Sequence, residues 1–453
     1  MTDSRRVAYV HSEELIQAAD VLPANEGRAS LVHSLCSAYG LLDDGERDEQ
    51  PRARLLEPIE ATRDELLKFH DRAYVDAILG EDTAETSSET TSDDDERDSD
   101  SSAPPLRTFG LANEGPSPRK KRKTDALGLQ DDCPRFDALD DYVRLVAGAS
   151  LTAARELRDG NADVAIAWTG GRHHAKRGEA SGFCYVNDIV LAIMELRTAP
   201  RPPSSPSSSP SSACSSGLST PALPTPRRLS RVLYLDLDLH HGDAVEAAFH
   251  STPYVLTLSL HLHAPLFFPS TGSLSSTGPG NPKGPGAFHA LNVALESGLR
   301  EESLARVWKS CVEKVKEAYQ PDAVVVQCGV DGLAGDPCKE WNLSLSALGA
   351  CVRQALSWDK PTLLLGGGGY SSPNAAKAWA YLTSVALDRP LPLSSPIPPD
   401  GLSTFQYASF APSFTLDVPA SDGVRDRNTD ETLKKVEKAF EEYAGRLREK
   451  YKR

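Results

Sequence analysis

The chain has 453 residues, of which 40% are hydrophobic and 25% charged, and its formal net charge is −15 at pH 7. An acidic chain is not built to coat a polyanion, so we expect no direct sequence-specific nucleic-acid binding. The eight cysteines include no Cys-x-x-Cys pair, which indicates reduced thiols, and no apolar run approaches the length of a membrane span.

The first predicted elements are a strand at 6–10 and helical stretches at 27–42 and 62–79. Residues 81–124 are polar, first acidic and then basic, and this composition buries too little apolar surface to offset the entropy of ordering. We therefore expect a disordered insertion there. It contains Pro116-Ser-Pro-Arg-Lys-Lys-Arg-Lys123, a basic cluster typical of nuclear localisation signals, which predicts a nuclear protein.

After this insertion the pattern predicts a helix at 138–157 and a strand at 164–168. A second insertion at 198–230 is rich in serine and proline, so we expect it to be disordered as well. Strands and helices then alternate: strands at 231–235, 254–260, 323–327 and 361–365, and helices at 304–319, 345–356 and 429–451. The alternation predicts a single α/β domain, formed by 5–80 and 125–453, with a central parallel sheet covered by helices on both faces.

The most informative segment is the octet Asp236-Leu-Asp-Leu-His-His-Gly-Asp243. Asp236, Asp238 and His240 alternate with apolar residues, so an extended backbone would point them to one side. Buried charge must be paired or bound to a metal. With Asp331 as a third ligand beside Asp238 and His240, the mixed carboxylate and imidazole set suits Zn²⁺, but also Fe²⁺, Co²⁺ or Mn²⁺.

Three other polar clusters also follow predicted strands: Gly170-Gly-Arg-His-His174, Gly329-Val-Asp331 and Gly366-Gly-Gly-Gly-Tyr370. Ligands of open parallel sheets bind at the carboxyl ends of strands, so we expect the clusters to form one pocket. His173 and His174 are candidate acid/base catalysts, and Asp236 and Asp243 are candidate acceptors that orient their rings. Asp236 is alternatively a ligand of a second cation. Tyr370, placed by the glycines, is a candidate donor to an oxyanion.

Two aromatic residues lie near the same strand ends in the sequence: Phe183 in Ser181-Gly-Phe-Cys-Tyr185, and Phe268 in Phe267-Phe-Pro269. They are either walls of a narrow apolar channel or ordinary core residues. The neighbouring polar clusters favour the channel.

Taken together, the motifs resemble those of the zinc-dependent histone deacetylases of class I, which have an arginase-like α/β fold. The matching segments are Arg28-Ala-Ser-Leu-Val-His-Ser34, Gly170-Gly-Arg-His-His-Ala-Lys176, Glu179-Ala-Ser-Gly-Phe-Cys-Tyr185, Tyr234-Leu-Asp-Leu-Asp-Leu-His-His-Gly-Asp243, Phe267-Phe-Pro269, Asp331-Gly-Leu-Ala-Gly-Asp336 and Gly366-Gly-Gly-Gly-Tyr370. The resemblance covers nearly everything outside the two insertions.

The resemblance implies zinc on Asp238, His240 and Asp331, with His173 and His174 as a catalytic pair backed by Asp236 and Asp243, and Tyr370 as the transition-state donor. It implies a structural potassium ion as well. The residues that match the potassium ligands are Asp236, Asp238, His240, Ser259 and, through its carbonyl, Leu260.

For the substrate, the resemblance implies an acetyl-lysine tunnel lined by Gly182, Phe183 and Phe268. Asp132 resembles the aspartate at the rim that holds the substrate backbone. Arg28 resembles the arginine that lies behind the active site.

Several residues depart from the family pattern. Arg172 precedes the histidine pair where relatives have an apolar residue, and Cys338 occupies a tunnel-wall position that is usually Leu or Met. The glycine-rich loop at 278–284 is longer than usual. Pro337 and Pro373 replace arginines that bind an inositol phosphate in corepressor-bound members, so we expect that binding mode to be lost.

The resemblance implies an enzyme that removes acetyl groups from N-ε-acetyl-lysine of histones and other proteins, contributing to chromatin deacetylation and transcriptional repression in the nucleus, with corepressor complexes as candidate partners and no membrane association. Two alternatives remain. One is an acetylpolyamine or other small-amide hydrolase of the same fold; the other is a catalytically inactive scaffold that only binds acetyl-lysine or a corepressor.

Overall fold

The computed structural model describes residues 5–43, 50–81, 127–200, 228–278 and 283–452. The basic cluster at 116–123 and most of both predicted insertions lie outside these residues. At the C-terminal end of the second insertion, Leu229 is buried and the Ser230 amide donates to Asp322 Oδ2 at 3.1 Å. At its N-terminal end, Thr198 Oγ1 accepts from Arg158 Nη1 at 3.1 Å, so both described ends of that range are packed against the domain.

Eight parallel strands form one sheet in the order β2-β1-β3-β8-β7-β4-β5-β6. The strands are β1 Val7–Val10, β2 Arg54–Leu56, β3 Val164–Ala167, β4 Val232–Asp236, β5 Val255–Leu262, β6 Ala290–Leu295, β7 Ala323–Gln327 and β8 Thr362–Leu365. The predicted α/β class with a central parallel sheet is confirmed.

Helices connect the strands and cover both faces of the sheet. They are α1 Glu13–Asp20, α2 Arg28–Ala38, α3 Arg63–Leu66, α4 Arg72–Ile78, α5 Leu139–Arg158, α6 Asp188–Leu196, α7 Asp243–Phe249, α8 Glu301–Val307, α9 Glu313–Tyr319, α10 Leu345–Leu356, α11 Ser372–Ala386, α12 Thr404–Ala408 and α13 Asp430–Tyr451. A π-helical segment, Trp308–Val312, joins α8 to α9. Within the described residues, no helix has the length and apolar character needed to cross a bilayer.

The core consists of two apolar clusters, one on each face of the sheet. Successive residues of a strand point to opposite faces, so Leu233 and Leu235 of β4 belong to one cluster and Val232 and Tyr234 to the other. The central strands are buried on both faces, which is why their sequences are continuous apolar runs.

The structure differs from the predicted elements in two helical stretches. The stretch at 62–79 is two short helices, because the chain turns between them and the Asp71 amide donates to the Arg177 carbonyl at 2.9 Å. The stretch at 304–319 is interrupted by the π-helical segment. Strands β2 and β6 were also missing from the prediction.

Candidate active site

The four polar clusters meet at the carboxyl ends of β3, β8, β7 and β4, which are neighbours in the sheet. β4 ends at Asp236, so the rest of the octet lies beyond the strand. Asp238 and Asp331 are each 1% exposed. The predicted convergence on one pocket is therefore present in the geometry.

Each candidate catalytic histidine is paired with a carboxylate. His173 Nδ1 lies 2.9 Å from Asp236 Oδ2, and His174 Nδ1 lies 2.9 Å from Asp243 Oδ1. Because each carboxylate accepts from Nδ1–H, the Nε2 atom of each ring is left for other partners. Asp236 also accepts from the Tyr234 hydroxyl at 2.6 Å, which fixes the carboxylate.

The two histidines have opposite pKa shifts. Burial, followed by the charge of His173, lowers the pKa of His174 to about 3. Burial also acts to lower the pKa of His173, but the Asp236 and Asp238 carboxylates outweigh it and raise that pKa to about 9. At neutral pH one imidazole is thus neutral and its neighbour carries a proton, an arrangement that separates a base from a cation.

The predicted metal ligands surround one imidazole nitrogen. His240 Nδ1 lies 2.9 Å from Asp331 Oδ2 and 3.2 Å from Asp238 Oδ1. Burial, followed by repulsion from the neighbouring Asp238 carboxylate, raises the pKa of Asp331 to about 7. Neither forms an ion pair with Lys or Arg in the part of the chain that the structure describes. This donor set, with two carboxylates and an imidazole nitrogen turned toward one another, fits a divalent cation.

Cys338 lies closer to this donor set than its predicted tunnel-wall position suggests. Its Sγ, a nitrogen of His240 and a carboxylate oxygen of Asp331 all lie within 4.8 Å of one another. The thiol is half-buried, and burial, together with nearby carboxylates, raises its pKa. It therefore borders the metal-type site as a neutral thiol.

Aromatic rings line the approach to these residues. The Phe268 ring packs edge-on against His174 with centroids 4.8 Å apart, and the Phe183 ring lies 5.7 Å from that of Tyr370. Phe268 is 40% exposed, so it lies at the mouth. Gly182 lies against the His174 and Phe268 rings, and a Cβ at this position would overlap the His174 ring. The channel interpretation of the two phenylalanines thus agrees with their location.

Asp132 lies at the same mouth, where its Oδ2 accepts from the Gly182 amide at 2.8 Å. The other predicted cation ligands lie deeper. Asp236 of β4 is in register with Ser259 of β5, and Leu260 follows on the same strand. Their donor atoms thus lie on two adjacent strands behind the candidate metal site.

Three residues to which the sequence assigned no role hold the site in place. Gln327 Nε2 donates to Asp238 Oδ2 at 2.7 Å, and Asp336 Oδ2 accepts from the Tyr370 amide at 2.8 Å. Asp188, buried at the start of α6, accepts from the amides of Gly171 and Arg172 at 2.9 and 2.8 Å. The position of Gln327 as the last residue of an apolar strand was a signal that could have identified it.

Comparison with known proteins identifies the family. A model of the histone deacetylase domain matches residues 22–201 and 222–386. Histone deacetylase 8 of Danio rerio is 37% identical over 433 residues, which cover 96% of this chain and 93% of the relative. Histone deacetylase 8 of Xenopus tropicalis is 35% identical over 450 residues, covering 99% of this chain and all of the relative. Histone deacetylase 2 of Oryza sativa subsp. japonica is 36% identical over 434 residues, which cover 95% of this chain and 70% of the relative.

These matches span both sides of the predicted second insertion, and they agree with the parallel sheet and with the geometry at its carboxyl edge. They confirm the resemblance and the prediction of a deacetylase enzyme, whose family implies a metal ion and acetylated protein substrates. The chain belongs to the histone deacetylase family.

Proposed function

We propose that this chain is a zinc-dependent hydrolase that removes acetyl groups from N-ε-acetyl-lysine of histones and other proteins. The observation that carries the proposal is the placement of two histidine–carboxylate pairs beside a buried three-donor set, at the inner end of an aromatic channel. Every role that amide hydrolysis requires has a residue within this group.

Asp238, His240 and Asp331 would hold the zinc ion, with an open position for substrate. When bound there, zinc polarises the acyl carbonyl and lowers the pKa of a coordinated water. Gln327 fixes Asp238 by a hydrogen bond, as carboxylate ligands require.

His174 acts as the general base, because its ring is neutral at neutral pH and Nε2 can accept a proton from the attacking water. It then delivers this proton to the leaving lysine nitrogen. His173 stays protonated and stabilises negative charge next to it. The Tyr370 hydroxyl donates to the oxyanion, a contribution of about 3–4 kcal/mol for one such donor.

The acetyl-lysine stem enters between Phe183 and Phe268, whose rings exclude water from the site. Asp132 binds the substrate backbone at the mouth, where its second carboxylate oxygen is available. We also propose a structural potassium ion held by Asp236, Asp238, His240, Ser259 and the Leu260 carbonyl. The pairing of Asp236 on β4 with Ser259 on β5 supports this proposal.

The test is deacetylation of an acetylated histone-tail peptide by the purified protein. We expect turnover that is lost in Asp238→Ala and reduced roughly 100-fold or more in Tyr370→Phe. Turnover that survives both substitutions would refute the mechanism. Faster turnover of an acetylated polyamine than of the peptide would favour the small-amide alternative instead.

We further propose that the enzyme acts in the nucleus, in chromatin deacetylation and transcriptional repression. The basic cluster at 116–123 supports nuclear import. A corepressor complex, if joined, would form without an inositol phosphate, since Pro337 and Pro373 provide no positive charge. A fluorescent fusion should accumulate in nuclei. A fusion in which residues 119–123 are replaced by alanine should remain in the cytoplasm. An unchanged distribution of that variant would contradict the role of the cluster.

A further inference from the structure

A second cavity, with a volume of about 20 Å³, lies behind the candidate active site. Its lining includes Arg28, Asn25, Thr169, His11 and Arg172. Arg172 and Asn25 also line the active-site cavity, together with both catalytic histidines and Tyr370. The Arg172 side chain therefore lies in the wall between the place where the acyl group reacts and the space behind it.

Two buried arginines face this cavity. Arg28 is 3% exposed, and its Nη1 donates to the carbonyls of Gly367 and Gly369 at 3.1 and 2.8 Å. Arg172 is 5% exposed; its Nη2 donates to the Thr169 carbonyl at 3.1 Å, and its Nε has no partner. Neither guanidinium forms an ion pair within the described ranges. The buried carboxylate of Asp188 acts on Arg172 through its charge, but it accepts from the Arg172 amide and not from the guanidinium. Arg172 Nε is therefore left to bind a negatively charged group in the cavity.

Further polar atoms in the cavity lining lack partners. Thr169 Oγ1 and His11 Nδ1 are both buried without a hydrogen bond. Native structures leave few such atoms unsatisfied, and a cluster of them around one cavity points to a bound polar group. Together with Arg172 Nε, they could donate to the two oxygens of a carboxylate, each of which accepts more than one hydrogen bond.

The direction of the channel decides which carboxylate would reach Arg172. The lysine stem enters at Phe268, and the acyl carbon reacts between His174 and Tyr370. An acyl group that extends beyond this carbon must continue to the inner wall, where Arg172 lies. The small volume restricts the extension to a few atoms.

We propose that Arg172 enables this site to accept lysine acylated by a short group that ends in a carboxylate, such as malonyl. The inference rests on the proposed amide hydrolysis. Water adds its oxygen to the acyl carbon, the carbon–nitrogen bond breaks, and the lysine nitrogen takes the proton that His174 carries. The products are malonate and the free lysine side chain. Arg172 pairs throughout with the terminal carboxylate, the one that the malonyl group already carries before hydrolysis.

The experiment compares kcat/KM for one peptide carrying malonyl-lysine or 3-methylbutanoyl-lysine, in which two methyl groups replace the two carboxylate oxygens. An acetyl-lysine peptide is the reference. We expect the wild-type protein to favour malonyl over its neutral isostere roughly tenfold or more, because charge-assisted hydrogen bonds are lost in the isostere. Arg172→Met should abolish this preference. The control variant Arg197→Met, which removes a half-buried guanidinium that stacks on Tyr254, should retain it.

A wild-type preference for the neutral isostere overturns the inference without any variant, and so does an unchanged preference in a folded Arg172→Met protein. Hydrolysis of the acetyl peptide alone would also overturn it and leave the proposed deacetylase function intact. Absence of turnover with all three peptides would instead contradict the proposed function. If Arg172→Met weakens only inhibition by acetate, the cavity holds the product, and the inference fails.

Discussion

The base and cation roles proposed for the two histidines depend on single charges at the site. His174 and His173 are neighbours in the chain, but only His173 lies between two carboxylates, with Nε2 3.8 Å from Asp238 Oδ1. His174 has Asp243 alone and feels the charge of His173. The proposed acid/base roles are thus based on which carboxylates each ring contacts.

Asp243→Asn tests this assignment at one atom. An amide in place of the carboxylate can present its N–H to His174 and select the wrong tautomer, so we expect kcat to fall about 100-fold or more, with KM little changed. Asp163→Asn, at the amino ends of the strands, is the matched control. Full kcat in Asp243→Asn would show that His174 needs no carboxylate partner.

The sequence could predict that most residues of the candidate site lie close together, because they follow apolar strands of a parallel sheet, whose carboxyl ends meet at one edge. It could not predict the proximity of Cys338 to His240, because that depends on the path of the chain between Asp331 and Cys338. Nor could it predict that Arg172 has an unpartnered donor, since burial and hydrogen bonding exist only in three dimensions.

Among the helices, α5 shows how tightly an element is packed. Gly148 lies in the middle of α5, and a Cβ there would overlap the backbone of residues 59–61. On α13, by contrast, a Cβ at Gly445 meets no atom within 4 Å. Close packing therefore requires a glycine at position 148 but not at position 445.

Gly148→Ala and Gly445→Ala should change stability in opposite directions. We expect the first to lower the free energy of unfolding by about 1–3 kcal/mol through overpacking. The second should raise it by about 0.5–1 kcal/mol, because alanine has the higher helix propensity. Urea unfolding of both proteins measures the difference, and a stabilised Gly148→Ala variant would contradict the packing described for α5.

Element prediction succeeded where the pattern was long and regular: α10 has the predicted bounds at Leu345–Leu356, and β7 at Ala323–Gln327. The π-helical segment within 304–319 was missed because its apolar periodicity differs little from that of an α-helix. Strand β2 was missed for another reason, since Arg54 and Leu55 are exposed at the sheet edge and show no apolar run.

Across the whole molecule, buried neutral histidines make the fold sensitive to acid. His70 accepts from the Asn187 amide at 3.0 Å and donates to the Arg177 carbonyl at 3.2 Å. Burial lowers its pKa from 6.5 to about 4. Between these values the unfolded chain binds one more proton than the folded one, so stability falls as pH falls through this window.

The expected contribution of His70 is about 1.4 kcal/mol per pH unit between pH 6.5 and 4. Chemical unfolding measured across this range should show a smaller pH slope in His70→Gln than in the wild type. The control variant Gln354→Asn, at an exposed position of α10, changes no titratable group and should keep the wild-type slope. A slope that is the same in all three proteins would contradict the linkage.

The most direct test of the central claim is turnover of an acetyl-lysine peptide after removal and return of zinc. In the proposed function, Asp238, His240 and Asp331 would provide the donors. We therefore predict that the metal-free protein is inactive and that activity recovers in proportion to zinc bound, up to one equivalent per chain. Undiminished turnover in the metal-free protein, or no recovery when one equivalent is bound, would contradict metal-assisted hydrolysis at this site.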